Sequence, residues 1–95
     1  MIVEVKVPAN LKEAIQLIDD SGKDIHWGFY AKPINFFAEK IYDAYKPIAF
    51  LYEDGELKCA AHHKNDTVQA YDILDRPFAL SDEQITLIKN VIKPI

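Results

Sequence analysis

Three histidines and one aspartate are the residues of this chain best suited to acid–base or metal chemistry. His62 and His63 are adjacent, Asp66 follows closely, and His26 lies in an earlier aromatic stretch. If they met in space, they could form a ribonuclease-like His/His/Asp site. Consecutive residues of a strand point to opposite faces, however, so the two adjacent imidazoles should diverge. We therefore predict ordinary strand-end histidines, assign no catalytic residue and no metal ligand, and leave an enzymatic activity open.

Cys59 is the only cysteine of the 95-residue chain. An intramolecular disulfide, a four-cysteine zinc site and a Cys-x-x-Cys redox motif are therefore excluded. A cysteine nucleophile needs exposure and a nearby base, whereas a buried cysteine behaves as a small hydrophobic side chain. We predict the second behaviour, no cofactor, and a reducing, cytoplasmic setting.

The stretch DIHWGFYAKPINFF, residues 24–37, is the richest in aromatic side chains. Read as a strand, it places Trp27 on one face with Ile25 and Phe29, an arrangement typical of a core. Its remaining rings and polar groups are suited to stacking and hydrogen bonding a flat ligand. These ligand-binding candidates are His26, Tyr30, Lys32 and Asn35. A core role and a pocket role are both open for this stretch.

Hydrophobic periodicity predicts the elements that position these residues. IVEVKV alternates like a half-buried strand, and Asn10 can cap a helix whose apolar positions begin at Leu11. IHWGFYA is predicted as a second strand, and Pro33 suits the first turn of a second helix. The apolar stripe of that helix comprises Ile34, Phe37, Ala38, Ile41 and Tyr45.

The clearest local signal is the hairpin PIAFLYEDGELKCAAHH. Asp54-Gly55 is a preferred two-residue turn because both central positions need a positive φ. The turn predicts a core face on which Tyr52 pairs with Leu57, Phe50 with Cys59 and Ile48 with Ala61. His63 extends this face, and Ala60 and His62 lie on the opposite one.

The rest of the chain completes an α+β domain. TVQAYDIL is predicted as a fifth strand, and Ser81 with Gln84 forms a capping box before a last helix. The predicted order is β-α-β-α-β-β-β-α, with about five strands and three helices in one domain spanning residues 1–95. Short strands mixed with short helices favour a small mixed or curled sheet.

The charge distribution argues against several partners. The net charge is −4, and residues 66–83 carry five acidic residues against Arg76, the sole arginine. Non-specific binding to duplex nucleic acid needs several cations on the phosphates, and no basic stripe is present.

The N-terminus lacks a signal core, and no apolar run approaches the roughly 20 residues that span a membrane. We expect no membrane association and leave the oligomeric state open.

The order of these features resembles EVE domains, which belong to the PUA-like superfamily together with ASCH and YTH domains. The similarity rests on NLKEAIQLI, HWGFY, FLYEDGEL and LSDEQITLIKNVI. The resemblance implies a small pseudo-barrel with flanking helices that binds RNA or DNA bearing modified bases. In that family an aromatic cage surrounds a flipped base. Trp27 and Tyr52 match its aromatic positions best, and Tyr30 is a looser match.

Two functions of different classes follow from these observations. The first is a non-catalytic module that recognises a nucleobase, a modified nucleotide or RNA. Its predicted binding residues are Trp27, Tyr30, Tyr52, His26, Lys32 and Asn35. The alternative is a small acidic interaction protein, of inhibitor, immunity or antitoxin type, that binds a basic partner. Charge complementarity with residues 66–83 would speed that encounter.

Overall fold

A computed structural model describes residues 1–92, so the last three residues of the predicted domain lie outside the described part. The elements are β1 (Val3–Lys6), α1 (Leu11–Ser21), α2 (Phe36–Tyr45), β2 (Ala49–Glu53), β3 (Glu56–Lys64), β4 (Thr67–Asp72) and α3 (Asp82–Val91). The α+β class and the three predicted helices are confirmed. Within residues 1–92, however, there are four strands rather than about five. They form one open antiparallel sheet, in the order β1-β2-β3-β4, rather than a closed pseudo-barrel.

The predicted second strand does not form. Residues 25–30 turn on themselves, since the N–H of Tyr30 donates to the carbonyl of Trp27 at 3.0 Å. The segment bonds to the sheet region through the N–H of His26 and the carbonyl of Ile73, at 2.9 Å, just beyond the end of β4. Its alternating apolar side chains are still buried, namely Ile25, Trp27 and Phe29. Their alternation therefore reflects burial without a strand partner.

Both faces of the sheet are covered. One face, here called the aromatic face, carries Phe50, Tyr52 and Leu57 beneath α1, α2 and the 25–30 segment. The other, here called the α3 face, carries Leu51 and Cys59 beneath α3. The central strands are buried on both sides, so they read as continuous apolar runs and conceal which face each residue occupies.

The hairpin turn forms as predicted, but the register beyond it does not. Asp54 and Gly55 have φ of 52° and 79°, and Tyr52 pairs with Leu57. The register then shifts between Leu51 and Tyr52. The pairs that follow are Leu51 with Cys59, Phe50 with Ala60 and Ala49 with Ala61. The predicted pairs of Phe50 with Cys59 and of Ile48 with Ala61 are therefore wrong.

A β-bulge at Lys58 explains the shift. Lys58 is the extra residue of β3, and an inserted residue re-aims every side chain that follows it. As a result, Cys59 moves to the α3 face and Ala60 joins the aromatic face. His62 follows Ala60 at the strand period, so the bulge also determines where this imidazole lies.

Helix α2 begins at Phe36, so Pro33 precedes the helix and does not lie in its first turn as predicted, and its buried side differs in part from the predicted stripe. The Asn35 side chain accepts the N–H of Ala38 at 3.0 Å and caps the helix. Ala38 and Tyr42 are buried, whereas Phe37 is 74% exposed. The predicted stripe is therefore right at Ala38 but wrong at Ile34, which is exposed before the helix, and at Phe37, because the buried side of α2 is centred on Ala38 and Tyr42. The cap of α1 at Asn10 and the capping box of α3 form as predicted.

Candidate functional site: an aromatic cavity

A cavity of about 370 Å³ opens on the aromatic face, between α2 and the 25–30 segment. This volume lies within the range of about 300–1,000 Å³ that is typical of small-molecule sites. Ala60 belongs to its floor and pairs with Tyr71 across the sheet. Because Ala60 has a small side chain, the space above this part of the sheet is left for a ligand.

Three rings follow one another along one side of the cavity. The ring centroids of Tyr45 and His62 lie 4.7 Å apart, and those of His62 and Tyr71 lie 6.2 Å apart. The planes of His62 and Tyr71 are nearly parallel, at 17°. Such rings offer π surfaces against which a flat ligand stacks. They come from α2, β3 and β4, so the folded structure alone brings them together.

Trp27 is both a core residue and a wall of the cavity. It is 5% exposed, and its ring centroid lies 5.4 Å from that of Phe50 in the core beneath it. Its indole N–H donates to the carbonyl of Asp72 at 2.7 Å. Since the N–H is already bonded, Trp27 can offer a ligand its ring surface but not its donor.

The turn after β4 places an acidic residue, Asp75, in the lining of the cavity. The Asp72 side chain accepts the backbone N–H groups of Arg76 and Leu74, both at 3.0 Å. These bonds lower the pKa of Asp72, the N–H of Arg76 contributing most. Asp75 then donates its own N–H to the Asp72 carbonyl at 2.9 Å, with a left-handed φ of 63°, and lines the cavity.

His62 adds a second hydrogen-bonding group. It is only 9% exposed, and its Nδ1 lies 3.0 Å from the carbonyl oxygen of His63. A carbonyl can only accept, so Nδ1 carries a hydrogen and Nε2 is the acceptor of the neutral ring. His62 and Asp75 both line the cavity, so the lining includes two residues whose side chains can accept hydrogen bonds.

The cavity lining contains no lysine and no arginine among the residues that the structure describes. A phosphate inside it would meet the Asp75 carboxylate without a compensating cation. The lining therefore suits a flat, uncharged or cationic ring that carries N–H donors, and disfavours an anion.

Of the six predicted binding residues, Trp27 alone lines this cavity. Tyr30 donates its hydroxyl hydrogen to Asp19 at 2.9 Å, and Lys32 forms an ion pair with the same carboxylate. The hydrogen bond from Lys32, followed by that from Tyr30, lowers the pKa of Asp19. These two residues thus tie the segment after residue 28 to α1, away from the cavity lining.

The other three predicted residues also have local partners. Tyr52 is 7% exposed in the core, with Lys6 Nζ 4.7 Å from its ring centroid. Asn35 caps α2, and His26 Nε2 lies 3.3 Å from Asp24. The structure therefore does not bring the predicted set together.

The lining residues that were not predicted from the sequence include Tyr45, His62, Tyr71 and Asp75. The alternation in β4 was a usable signal, since Tyr71 is out of phase with the apolar Val68 and Ala70 of the α3 face. His62 had no comparable signal, because its face depends on the bulge at Lys58.

The two adjacent histidines diverge as expected from neighbouring strand positions, but each lies on the face that was predicted for the other. His62 lies on the aromatic face, whereas His63 Nε2 contacts the carbonyl of Ile92 on the α3 side. Within residues 1–92, no group of three or more His, Cys, Asp or Glu side chains could hold a metal ion. Cys59 is buried, and burial raises its pKa to about 12, as expected for a small hydrophobic side chain.

A second cavity, of about 570 Å³, lies between the start of α1 and α2. Its lining includes charged groups of both signs, such as Lys12, Lys46, Glu39 and Asp43. Lys46 already pairs with Asp43 at 3.1 Å. Although larger, this cavity lacks the clustered rings that make the aromatic cavity suitable for a planar ligand.

The comparisons with known proteins add no relative. No protein-family model, curated protein or solved structure matches the chain. The resemblance to EVE domains therefore stays a prediction from the sequence. In the described part of the chain, no helix has the length and apolar character required to cross a membrane.

Proposed function

We propose that this chain is a non-catalytic binding module whose aromatic cavity takes the base of a nucleoside, a modified nucleotide or RNA. The observation that carries the proposal is the clustering of Trp27, Tyr45, His62 and Tyr71 around one cavity with Asp75 at its lining. Aromatic stacking contributes roughly 1–3 kcal/mol per base. The resemblance to EVE domains, in which a base enters an aromatic cage, agrees with this function.

The polar groups give the cavity a preference among bases. Asp75 and, in its neutral form, the His62 ring can accept hydrogen bonds, so they favour an edge whose exocyclic amino group donates two hydrogens over an edge whose single N–H lies between two carbonyl oxygens. Adenine, guanine and cytosine carry exocyclic amino groups, whereas uracil carries none. We therefore expect the first three to bind more tightly than uracil.

The cavity accepts a base only when both faces of its ring are accessible. A base in a duplex is stacked and paired, so the ligand must be unpaired or flipped out. The phosphates would remain outside, because the described lining has no cation for them. Nucleosides should then bind about as well as the corresponding monophosphates.

A fluorescence titration tests this function, since the sole tryptophan lines the cavity. The ligands are adenosine, guanosine, cytidine, uridine and short unpaired RNAs. Asp75→Asn removes the charge while keeping a residue that tolerates the left-handed φ, and it should weaken binding of the amino-bearing bases. Asp66→Asn, in the exposed turn after β3, is the matched control. Absence of a saturable signal with every ligand would refute the proposal.

The basic-partner alternative rests on charge distribution alone. Two of the acidic residues in 66–83 already have other contacts. Asp72 accepts a hydrogen bond that stabilises the turn after β4, and Asp75 lines the cavity. Asp82 and Glu83 lie in the first turn of α3, where a negative charge complements the helix dipole. The structure therefore offers the base-binding function more support than this alternative.

A further inference from the structure

Strand β1 is an edge of the sheet, paired with β2 on one side. The backbone groups of Ile2 point toward β2, because its carbonyl accepts the N–H of Asp54 at 2.7 Å and its own N–H donates to the Asp54 side chain at 2.8 Å. Backbone groups alternate along a strand, so Glu4 and Lys6 also point to β2. The backbone groups of Val3 and Val5 point outward, where no residue of 1–92 bonds to them, and Val7, the first residue after β1, continues this alternation.

The outward edge has the sequence Val-Glu-Val-Lys-Val, residues 3–7, which is self-complementary when two copies run antiparallel. We propose that β1 pairs with β1 of a second copy of this chain about a two-fold axis at Val5. In this register Val5 faces the partner's Val5, and Val3 faces the partner's Val7. These are the outward-pointing residues, so each facing pair exchanges two backbone hydrogen bonds.

The charges agree with this register and not with a parallel in-register pair. Glu4 faces the partner's Lys6, and Lys6 faces the partner's Glu4, at positions where side chains of an antiparallel pair come closest. Opposite charges facing each other across strands are favourable, and like charges are unfavourable. A parallel in-register pair would place each glutamate against its own copy.

The surroundings of the edge are also apolar. Ile2 is 69% exposed and Val7 is 38% exposed, while Val3 and Val5 pack partly against the α3 face. An uncovered strand edge with apolar neighbours tends to pair with another strand. The dimer would join the two sheets into one of eight strands through an isologous interface. The proposed dimer is independent of the proposed function, since the sheet residues that line the cavity lie in β3 and β4 and the dimer interface lies at β1.

Charge swaps test the register directly. Glu4→Lys and Lys6→Glu each place two like-charged pairs across the interface, and each should raise the dimer dissociation constant about tenfold or more. An equimolar mixture of the two variants restores every opposite pair, as does the double swap within one chain. Lys12→Glu, at an exposed position of α1, is the control with the same charge change as Lys6→Glu.

Analytical ultracentrifugation of the wild type, the variants and the mixture gives the readout, with circular dichroism to verify folding. Hydrogen exchange adds a second measurement, in which dimerisation protects the amides of Val3, Val5 and Val7 but leaves those of Glu4 and Lys6 unchanged. We expect a wild-type dimer, two weakened single variants, a restored mixture and a dimeric control. A monomeric wild type, or single variants that dimerise as tightly as wild type, would overturn the proposal.

Discussion

Replacing Tyr45 by alanine should weaken base binding without unfolding the protein. Tyr45 is the last residue of α2, its ring lies 4.7 Å from that of His62, and it lines the cavity. One aromatic stacking contact contributes roughly 1–3 kcal/mol, and 1.4 kcal/mol corresponds to tenfold in affinity. The variant should therefore bind about 5-fold to 150-fold more weakly. Because Tyr45 is 50% exposed, the free energy of unfolding should fall by no more than about 1 kcal/mol.

Phe37→Ala is the matched control for this change. Phe37 is an aromatic residue of the same helix, is 74% exposed and does not line the cavity. Isothermal titration calorimetry with the tightest-binding nucleoside compares both variants with the wild type, and urea denaturation verifies their stability. Equal affinity of Tyr45→Ala and wild type, or an equal loss in both variants, would refute the assignment of the cavity as the binding site.

Three further predictions concern the fold that supports the cavity. Ile88→Ala should lower the free energy of unfolding by about 2–5 kcal/mol, since Ile88 is fully buried on the α3 face; a loss below about 1 kcal/mol in urea denaturation would contradict this packing. Cys59, whose pKa burial raises to about 12, should react with a thiol reagent only after unfolding, and rapid labelling of the native protein would contradict its burial. Backbone hydrogen bonds lower the pKa of Asp72 in the folded protein below its ordinary value of 3.8. The ionised carboxylate therefore stabilises the fold above the pKa of the unfolded state, and this stabilisation is lost as the pH falls through the lower pKa of the folded state. The wild type should therefore lose more stability than Asp72→Asn between about pH 6 and about pH 2.5, and parallel losses in urea denaturation would contradict this.

Signals confined to a few residues predicted local structure well. Asn10 and Ser81 cap helices where their spacing predicted, and Asp54-Gly55 forms the expected hairpin turn. In each case the decisive bonds or backbone angles involve residues close in sequence. Nothing elsewhere in the chain has to be known to infer them.

Strand pairing was predicted less well because it depends on distant residues. Ile25, Trp27 and Phe29 alternate like a strand and are all buried, yet their segment turns back on itself. Periodicity reports which side chains face the core, and it does not report whether another strand lies alongside. The same limit explains why an open sheet replaces the predicted barrel.

The place of His62 at the cavity depends on a β-bulge that no residue pattern in the sequence predicts. Both faces of β2 and β3 are buried, so a shift of one residue leaves the apolar pattern acceptable in either register. The bulge at Lys58 sets which of the two registers forms, and it places His62 with Trp27 on the aromatic face. A core role and a pocket role were both open for Trp27 from the sequence, and the structure shows that Trp27 is buried in the core and also lines the cavity.

The most direct test of the base-binding function is a nuclear magnetic resonance titration of the ¹⁵N-labelled protein with adenosine, guanosine and cytidine. If a base enters the cavity, saturable shifts should appear at the amides of Gly28, Ala60 and Tyr71, which come from separate parts of the chain and meet at the cavity. The indole N–H of Trp27 should shift but stay bonded to Asp72. Unchanged spectra at millimolar ligand, or shifts confined to residues outside the cavity, would contradict base binding in the aromatic cavity.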